Sequence, residues 1–201
     1  MLVSHMKEQE LSTPMNSIWY DHMSTISHGF ASISKIELEK AAKTITAAVV
    51  EKKNIFTCGN GASASIAQHW ACDYTKGCSK IETGLKPRVV SLSANIPLMT
   101  AISNDVSYDE VYSYQLERVA EPGDVLITIS SSGNSPNVVR AIEAAKEMGV
   151  TTVALTGFSG GKCRKLADIR VHVDIHEYEA AEDVHQAIMH MIAKYIRSEL
   201  W

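Results

Sequence analysis

The chain has 201 residues, 45% of them hydrophobic and 21% charged, and a formal net charge of −4. That composition supports one globular domain with a sizeable core and offers no basic surplus for nucleic acid or an anionic membrane. No apolar run reaches the ~20 residues of a membrane span, and the N-terminus shows no basic region followed by an apolar stretch, so no secretory signal is expected.

Residues 15–33 and 36–52 read as two helices. In the second, Ile36, Leu38, Ala41, Ala42, Ile45 and Val49 recur at helical spacing. A buried strand follows over 54–58 and a helix over 62–74. The pattern then predicts a strand at 88–92 and helices at 94–102 and 108–119. After the turn Glu121-Pro122-Gly123-Asp124 comes a third strand, 124–129. Residues 136–148 read as a helix with Pro136 at its start, where proline is tolerated. A fourth strand, 151–155, ends at Gly157 and Gly160-Gly161. A fifth covers 169–173, and an amphipathic helix spans 179–199. Strands apolar on both faces that alternate with helices argue for an α/β fold, a doubly wound five-stranded parallel sheet. The organisation is one domain over 1–201, with helices in 1–53 and the α/β core and long C-terminal helix in 54–201.

Cys58, Cys72, Cys78 and Cys163 form no C-x-x-C pair. They point to a reduced, cytoplasmic setting, each expected as a small buried apolar residue. His172 and His176, after the fifth strand, read as surface or interface residues.

Two Ser/Gly loops carry most of the functional signal: Cys58-Gly59-Asn60-Gly61-Ala62-Ser63 and Ser130-Ser131-Ser132-Gly133-Asn134-Ser135. Each joins a strand to a helix. Free N–H groups, a helix dipole and serine hydroxyls together suit an anion. Gly59-x-Gly61-x-x-Ala64 loosely matches a dinucleotide fingerprint. The next strand runs into Ser91-Leu92-Ser93-Ala94-Asn95 without the acid that would hold a ribose. Neither loop has the Gly-Lys-Ser/Thr ending of a P-loop. A monophosphate ester fits these loops better than a nucleotide.

His69 and Asp73 are four residues apart and share a helix face. Glu182 and His190, about two turns apart, share a face of the last helix, with His185 toward its flank and Gln186 nearby. If that helix crosses a neighbouring site, His69, Asp73, Glu182 and His190 converge. Such a set suits a zinc-type ion or a general acid/base pair. The same spacing also fits solvated helix faces.

The segments Cys-Gly-Asn-Gly-Ala-Ser-Ala-Ser-Ile-Ala-Gln-His (58–69), Ala-Ile-Ser-Asn-Asp (101–105), Ile-Ser-Ser-Ser-Gly-Asn-Ser (129–135), Val-Ala-Leu-Thr-Gly (153–157) and Glu-Asp-Val-His-x4-His (182–190) resemble the sugar isomerase (SIS) domain. More narrowly, they are similar to the phosphoheptose isomerase subfamily, over nearly the whole chain. The resemblance implies a flavodoxin-like sheet and a homotetramer with active sites between subunits. It implies sedoheptulose 7-phosphate as substrate, interconverted with D-glycero-D-manno-heptose 7-phosphate. It assigns the phosphate to Ser63, Ser130, Ser131, Ser132 and Ser135, and adds Asn60, Gly61, Asn95 and Glu182 to the substrate-binding set. It places zinc on His69, Asp73, Glu182 and His190, with Asp73 and His190 sharing the proton work. Asp73 stands where the family typically has glutamate, and Glu182 where it has glutamine. The shorter carboxylate retreats by roughly one C–C bond, ~1.5 Å, a shift that can cost ~10²-fold in rate. A related adaptor of the same architecture binds the replication initiator. It lacks counterparts of His190 and Asp73, which favours catalysis here. A phosphosugar-sensing module and an isomerase of another sugar phosphate are the remaining rivals.

Overall fold

The computed structural model describes residues 14–201 apart from positions 81 and 83; residues 1–13, part of the expected single domain, lie outside the described residues. Helices α1 (Met15–Ser32) and α2 (Lys35–Val50) come first. Ser34 caps α2, its hydroxyl accepting from the Glu37 N–H. The sheet strands are β1 (Asn54–Gly59), β2 (Arg88–Ser91), β3 (Val125–Ser130), β4 (Thr151–Thr156) and β5 (Ile169–His172). All pairings are parallel, in the order β2-β1-β3-β4-β5. The helices between them are α3 (Ala62–Gly77), α4 (Ile96–Asp105), α5 (Ser113–Val119), α6 (Pro136–Glu147) and α7 (Gly161–Leu166), and α8 (Tyr178–Leu200) closes the chain.

Period-two alternation along each strand divides the core into two layers. Ile55, Ile127, Ile129, Leu155 and Val171 face one side, packed with α2, α3 and α8. Phe56, Cys58, Leu126 and Ala154 face the other, packed with α5 and α6. This is the expected doubly wound five-stranded sheet with two leading helices and a long final one.

Local differences have local causes. The expected helix over 108–119 is broken: a 3-10 turn, Tyr108–Glu110, started by the Ser107 hydroxyl, precedes α5. The second helix stops at Val50 because Lys52 takes a left-handed conformation (φ 59°). The short helix α7 was not expected from its polar, glycine-led sequence. All four cysteines are free; Cys58, Cys78 and Cys163 are buried as expected, whereas Cys72 is exposed. His172 is half-buried, its Nδ1 3.0 Å from Thr156 Oγ1. No described helix is long and apolar enough to cross a membrane.

His185 is fully buried on α8, and among the described residues neither ring nitrogen has a hydrogen-bond partner within normal geometry. Burial pushes its pKa down to about 4. The unfolded chain, with histidine near its usual ~6.5, binds this proton more readily. Stability is therefore complete above that unfolded value and falls as pH drops from ~6.5 toward about 4. His185→Leu is expected to flatten this part of the acid-unfolding profile, measured by urea midpoints across that range. A slope unchanged from wild type would contradict it.

Candidate active site

The strand order reverses between β1 and β3, parallel neighbours in the sheet whose following strands, β2 and β4, lie on opposite sides of the pair. Open parallel sheets bind ligands at such a point, beyond the carboxyl ends of the strands. Both Ser/Gly loops lie there. Together with the start of α8 they line a cavity of about 170 Å³ formed by Asn60, Ser63, Ile129, Ser130, Ser131, Ser132, Ser135, Tyr178 and Glu182.

Three features suit this cavity to an anion. Helices α3 and α6 both begin at it, and in neither does the N-cap residue, Gly61 or Ser135, accept a first-turn N–H with its side chain. Gly61, the N-cap of α3, sits at φ 55° and ψ −126°, a conformation that glycine adopts without strain. Ser131 Oγ is buried and makes no hydrogen bond among the described residues. An unpaired buried hydroxyl costs roughly 1–3 kcal/mol, and a phosphate oxygen would offset that cost.

The remaining hydroxyls shape the loop. Ser130 Oγ accepts from Gly133 N (3.2 Å) and lies 3.4 Å from Ser135 Oγ. Ser132 Oγ accepts from Asn134 N (3.3 Å). Asn60 is held in place: its amide exchanges two hydrogen bonds with that of Asn137 (2.9 and 3.0 Å), and Tyr108 Oη lies 3.0 Å from its Oδ1. Tyr112 Oη is 3.0 Å from the same oxygen and 2.5 Å from Gly59 O, the nearer acceptor for its one proton. Burial raises the Tyr112 pKa and keeps that proton on the phenol. Tyr108, Tyr112 and Asn137 thus support the first loop. Residue type and spacing did not single them out, because their part depends on tertiary contacts.

A second cluster lies where α3 passes α8. Buried contacts set the crossing: Tyr74 Oη donates to Met189 O (3.3 Å), and Cys78 Sγ lies 3.7 Å from Ala193 O. Beside these contacts, His69 Nε2 is 3.1 Å from Asp73 Oδ1, and His190 Nε2 is 3.4 Å from Asp73 Oδ2. The two imidazoles meet edge to face, centroids 5.1 Å apart. All three side chains keep a third or more of their surface exposed, so a small molecule can reach them. One donor atom from each lies within 4.8 Å of the others. Two imidazole nitrogens and a carboxylate oxygen suit a zinc-type ion that keeps an open position.

Glu182 is not part of this trio among the described residues. It lines the serine cavity and also a groove formed with Ser65, Ile66, Glu179, Asp183 and Gln186. Glu182 therefore stands between the two halves of the site. Partial burial, then the charges of Glu179 and Asp183, raise its pKa. At the position nearest the trio α8 instead supplies Gln186, whose amide nitrogen is 2.7 Å from His69 Nδ1. Asn95 is not among the residues lining the cavity; its side chain caps α4, accepting from Leu98 N at 3.1 Å. An asparagine directly before a helix carries that signal in the sequence.

Residues 18–157 match the model of the SIS domain. The chain is 37% identical to the phosphoheptose isomerase of Aliarcobacter butzleri over 179 residues, 89% of this chain and 93% of that one. It is 38% identical to that of Vibrio vulnificus over 165 residues, 82% of this chain and 85% of that one. The fold matches the structure of phosphoheptose isomerase GmhA from Neisseria gonorrhoeae with a TM-score of 0.83 and 30% identity, covering 92% of this chain and 97% of that one. With its sheet, serine loops and full-length similarity in agreement, this chain belongs to the phosphoheptose isomerase family of SIS-domain proteins.

Proposed function

We propose that this chain is an aldose–ketose isomerase that interconverts sedoheptulose 7-phosphate and D-glycero-D-manno-heptose 7-phosphate in heptose biosynthesis. The observation that carries the reading is a juxtaposition at one end of the sheet. A serine-lined anion cavity lies beside a His–Asp–His cluster, and Glu182 borders the cavity and the adjoining groove. The relatives' names supply the substrate class.

The reaction moves one proton between neighbouring carbons through an enediol or enediolate, while a hydroxyl proton passes to the former carbonyl oxygen. Asp73 and His190 share this work, one taking the carbon-bound proton and the other serving the oxygen. His69, Asp73 and His190 would hold a zinc-type ion, with Glu182 the nearby carboxylate on the cavity side. When bound, that ion supplies polarisation of the carbonyl and enediolate oxygens. One group cannot be both tight ligand and free base, so Asp73 or His190 is a labile ligand. Ser63, Ser130, Ser131, Ser132 and Ser135 anchor the phosphate, and that remote binding energy positions the reacting carbons.

The proposal takes in the whole chain as one SIS unit, with cysteine usage supporting a cytoplasmic setting, and assembly as a homotetramer with shared active sites. Support for assembly comes from α1, where Met15, Ile18, Trp19 and Met23 form an exposed apolar stripe at helical spacing.

The test is an NMR time course with sedoheptulose 7-phosphate, with added zinc and again after chelation. Zinc-dependent appearance of the aldoheptose 7-phosphate is expected. No conversion under either condition would overturn sedoheptulose 7-phosphate as the substrate and move the reading to an isomerase of another phosphosugar, and then to phosphosugar binding without turnover.

Ser131→Ala separates the phosphate role from a packing role. Removing a buried hydroxyl that has no partner leaves the ligand-free protein as stable as wild type or slightly more so. Affinity for inorganic phosphate falls ~10-fold, the cost of one charge-assisted hydrogen bond. Thermal melting with and without phosphate reads both effects. A variant less stable than wild type yet equally protected by phosphate would refute this role for Ser131.

A further inference from the structure

His69 presents two nitrogens to two different partners. Its Nε2 faces the Asp73 carboxylate at 3.1 Å. Its Nδ1 faces the Gln186 amide at 2.7 Å, and among the described residues no other group hydrogen-bonds that nitrogen. The same amide nitrogen lies 3.5 Å from His190 Nε2, so Gln186 reaches both imidazoles of the cluster. Gln186 sits on α8 one turn before His190, on the face that α3 packs against.

A neutral imidazole carries one proton, and its partners decide which nitrogen holds it. With no cation present, Nε2–H donates to Asp73, which can only accept when ionised. Nδ1 is then an acceptor and takes a proton from the Gln186 amide N–H, the arrangement seen here. A cation bound at Nε2 needs that lone pair, so the proton must move to Nδ1 and find an acceptor there. The Gln186 carbonyl oxygen is on the same planar fork as its amide nitrogen. Half a turn about the last side-chain bond presents it to Nδ1. An amide can serve both states because it carries a donor and an acceptor; a carboxylate serves only the second, and a thioether serves neither strongly.

We propose that Gln186 is the positioning residue that sets the His69 tautomer, its amide reversing as His69 changes from a proton donor toward Asp73 to a metal ligand through Nε2. This rests on the reading of the trio as the metal site. It assigns Gln186 a part distinct from the ligands themselves.

Three full-length proteins test it: wild type, Gln186→Met and Gln186→Glu. Two measurements are made on each: zinc affinity by competition with a chelator, and the His69 tautomer from long-range ¹H–¹⁵N NMR spectra at a pH where histidine is neutral. Metal-free wild type is expected to show Nε2–H at His69, and zinc to convert it to Nδ1–H. Gln186→Met, close in shape but without the amide, is expected to bind zinc ~10- to 100-fold more weakly, the usual effect of losing a partner that orients a ligating histidine. Gln186→Glu sets an acceptor at Nδ1 against Asp73 at Nε2, and is expected to raise the share of Nδ1–H at His69 above that of wild type before zinc is added and to bind zinc at least as tightly. The proposal is overturned if Gln186→Met matches wild type in both affinity and tautomer, or if Gln186→Glu fails to shift the tautomer. Wild type binding no zinc would instead remove the metal reading. The metal-free spectra of the two variants would still decide whether Gln186 sets the tautomer.

Discussion

Asp73→Asn is expected to lower kcat by ~10²- to 10⁴-fold, the usual contribution of a positioned acid or base, with little change in the melting temperature of the metal-free protein. The two side chains have the same shape, and Asp73 is exposed over about a third of its surface, so packing is barely disturbed. The chemistry is lost for two reasons. An amide does not take up a proton from carbon at neutral pH. It also carries no charge to face the two imidazole nitrogens that Asp73 holds at 3.1 and 3.4 Å. Initial rates with sedoheptulose 7-phosphate give kcat and KM, and exchange of the transferred hydrogen with deuterated solvent reports proton abstraction directly. Loss of exchange together with kcat places Asp73 at the carbon. Exchange that persists while kcat falls moves that role to His190. Asp73→Glu keeps the charge and lengthens the reach by one methylene, and is expected to retain turnover within ~10-fold of wild type. Asp73→Asn with near-normal turnover would sink the assignment.

The parts of this site differ in how visible they are from residue order alone. The strands that carry it were readable because Ile55-Phe56 and Val125-Leu126-Ile127 are apolar on both faces, as a covered parallel sheet requires. The serine loops were readable because strand, small-residue turn and helix start lie within a dozen residues of one another. The His69–Asp73 pair follows from i,i+4 spacing on α3. What completes the cluster does not. His190 joins it only because Tyr74 and Cys78 pin α3 against the Met189 and Ala193 carbonyls of α8. Glu182, two turns before His190, borders the serine cavity and lies outside the close trio among the described residues. Gln186 occupies the facing position, and an amide has no spacing signature that separates a partner from a surface residue. Tyr108, Tyr112 and Asn137 escape for the same reason: they converge on Asn60 from two other segments. Helix α7 leaves no periodic signal because it is six residues long and mostly polar.

Gly133→Ala is expected to destabilise the protein by about 2–4 kcal/mol, in the range reserved for mutations with a named steric cause, and to raise KM for the phosphosugar. Gly133 lies in the middle of the second serine loop at φ 66°. A Cβ there would stand 2.0 Å from Gly160 O and 2.4 Å from Gly160 C, both backbone atoms that no rotamer change can move. The contact is the point where the loop after β3 is braced by the loop after β4. Around it, Cys163 N donates to Gly133 O (2.9 Å), Gly157 N to Ser131 O (2.9 Å) and Lys162 N to Asn134 Oδ1 (3.1 Å). Relieving the clash means pushing Ser131 and Ser132 away from the proposed phosphate position or giving up these bonds. Gly149→Ala provides the comparison. It has a similar φ of 71°, but its nearest neighbour is Pro122 Cβ at 3.6 Å, an ordinary contact. It carries the backbone strain without the collision and is expected to cost about 1 kcal/mol. Denaturant midpoints measure both costs, and KM separates a local from a global effect. A KM rise confined to Gly133→Ala would show that the brace from β4 holds the serine loop in its binding shape. Equal losses of stability in both variants, with KM unchanged, would mean that the loop tolerates displacement and that the brace is not needed for binding.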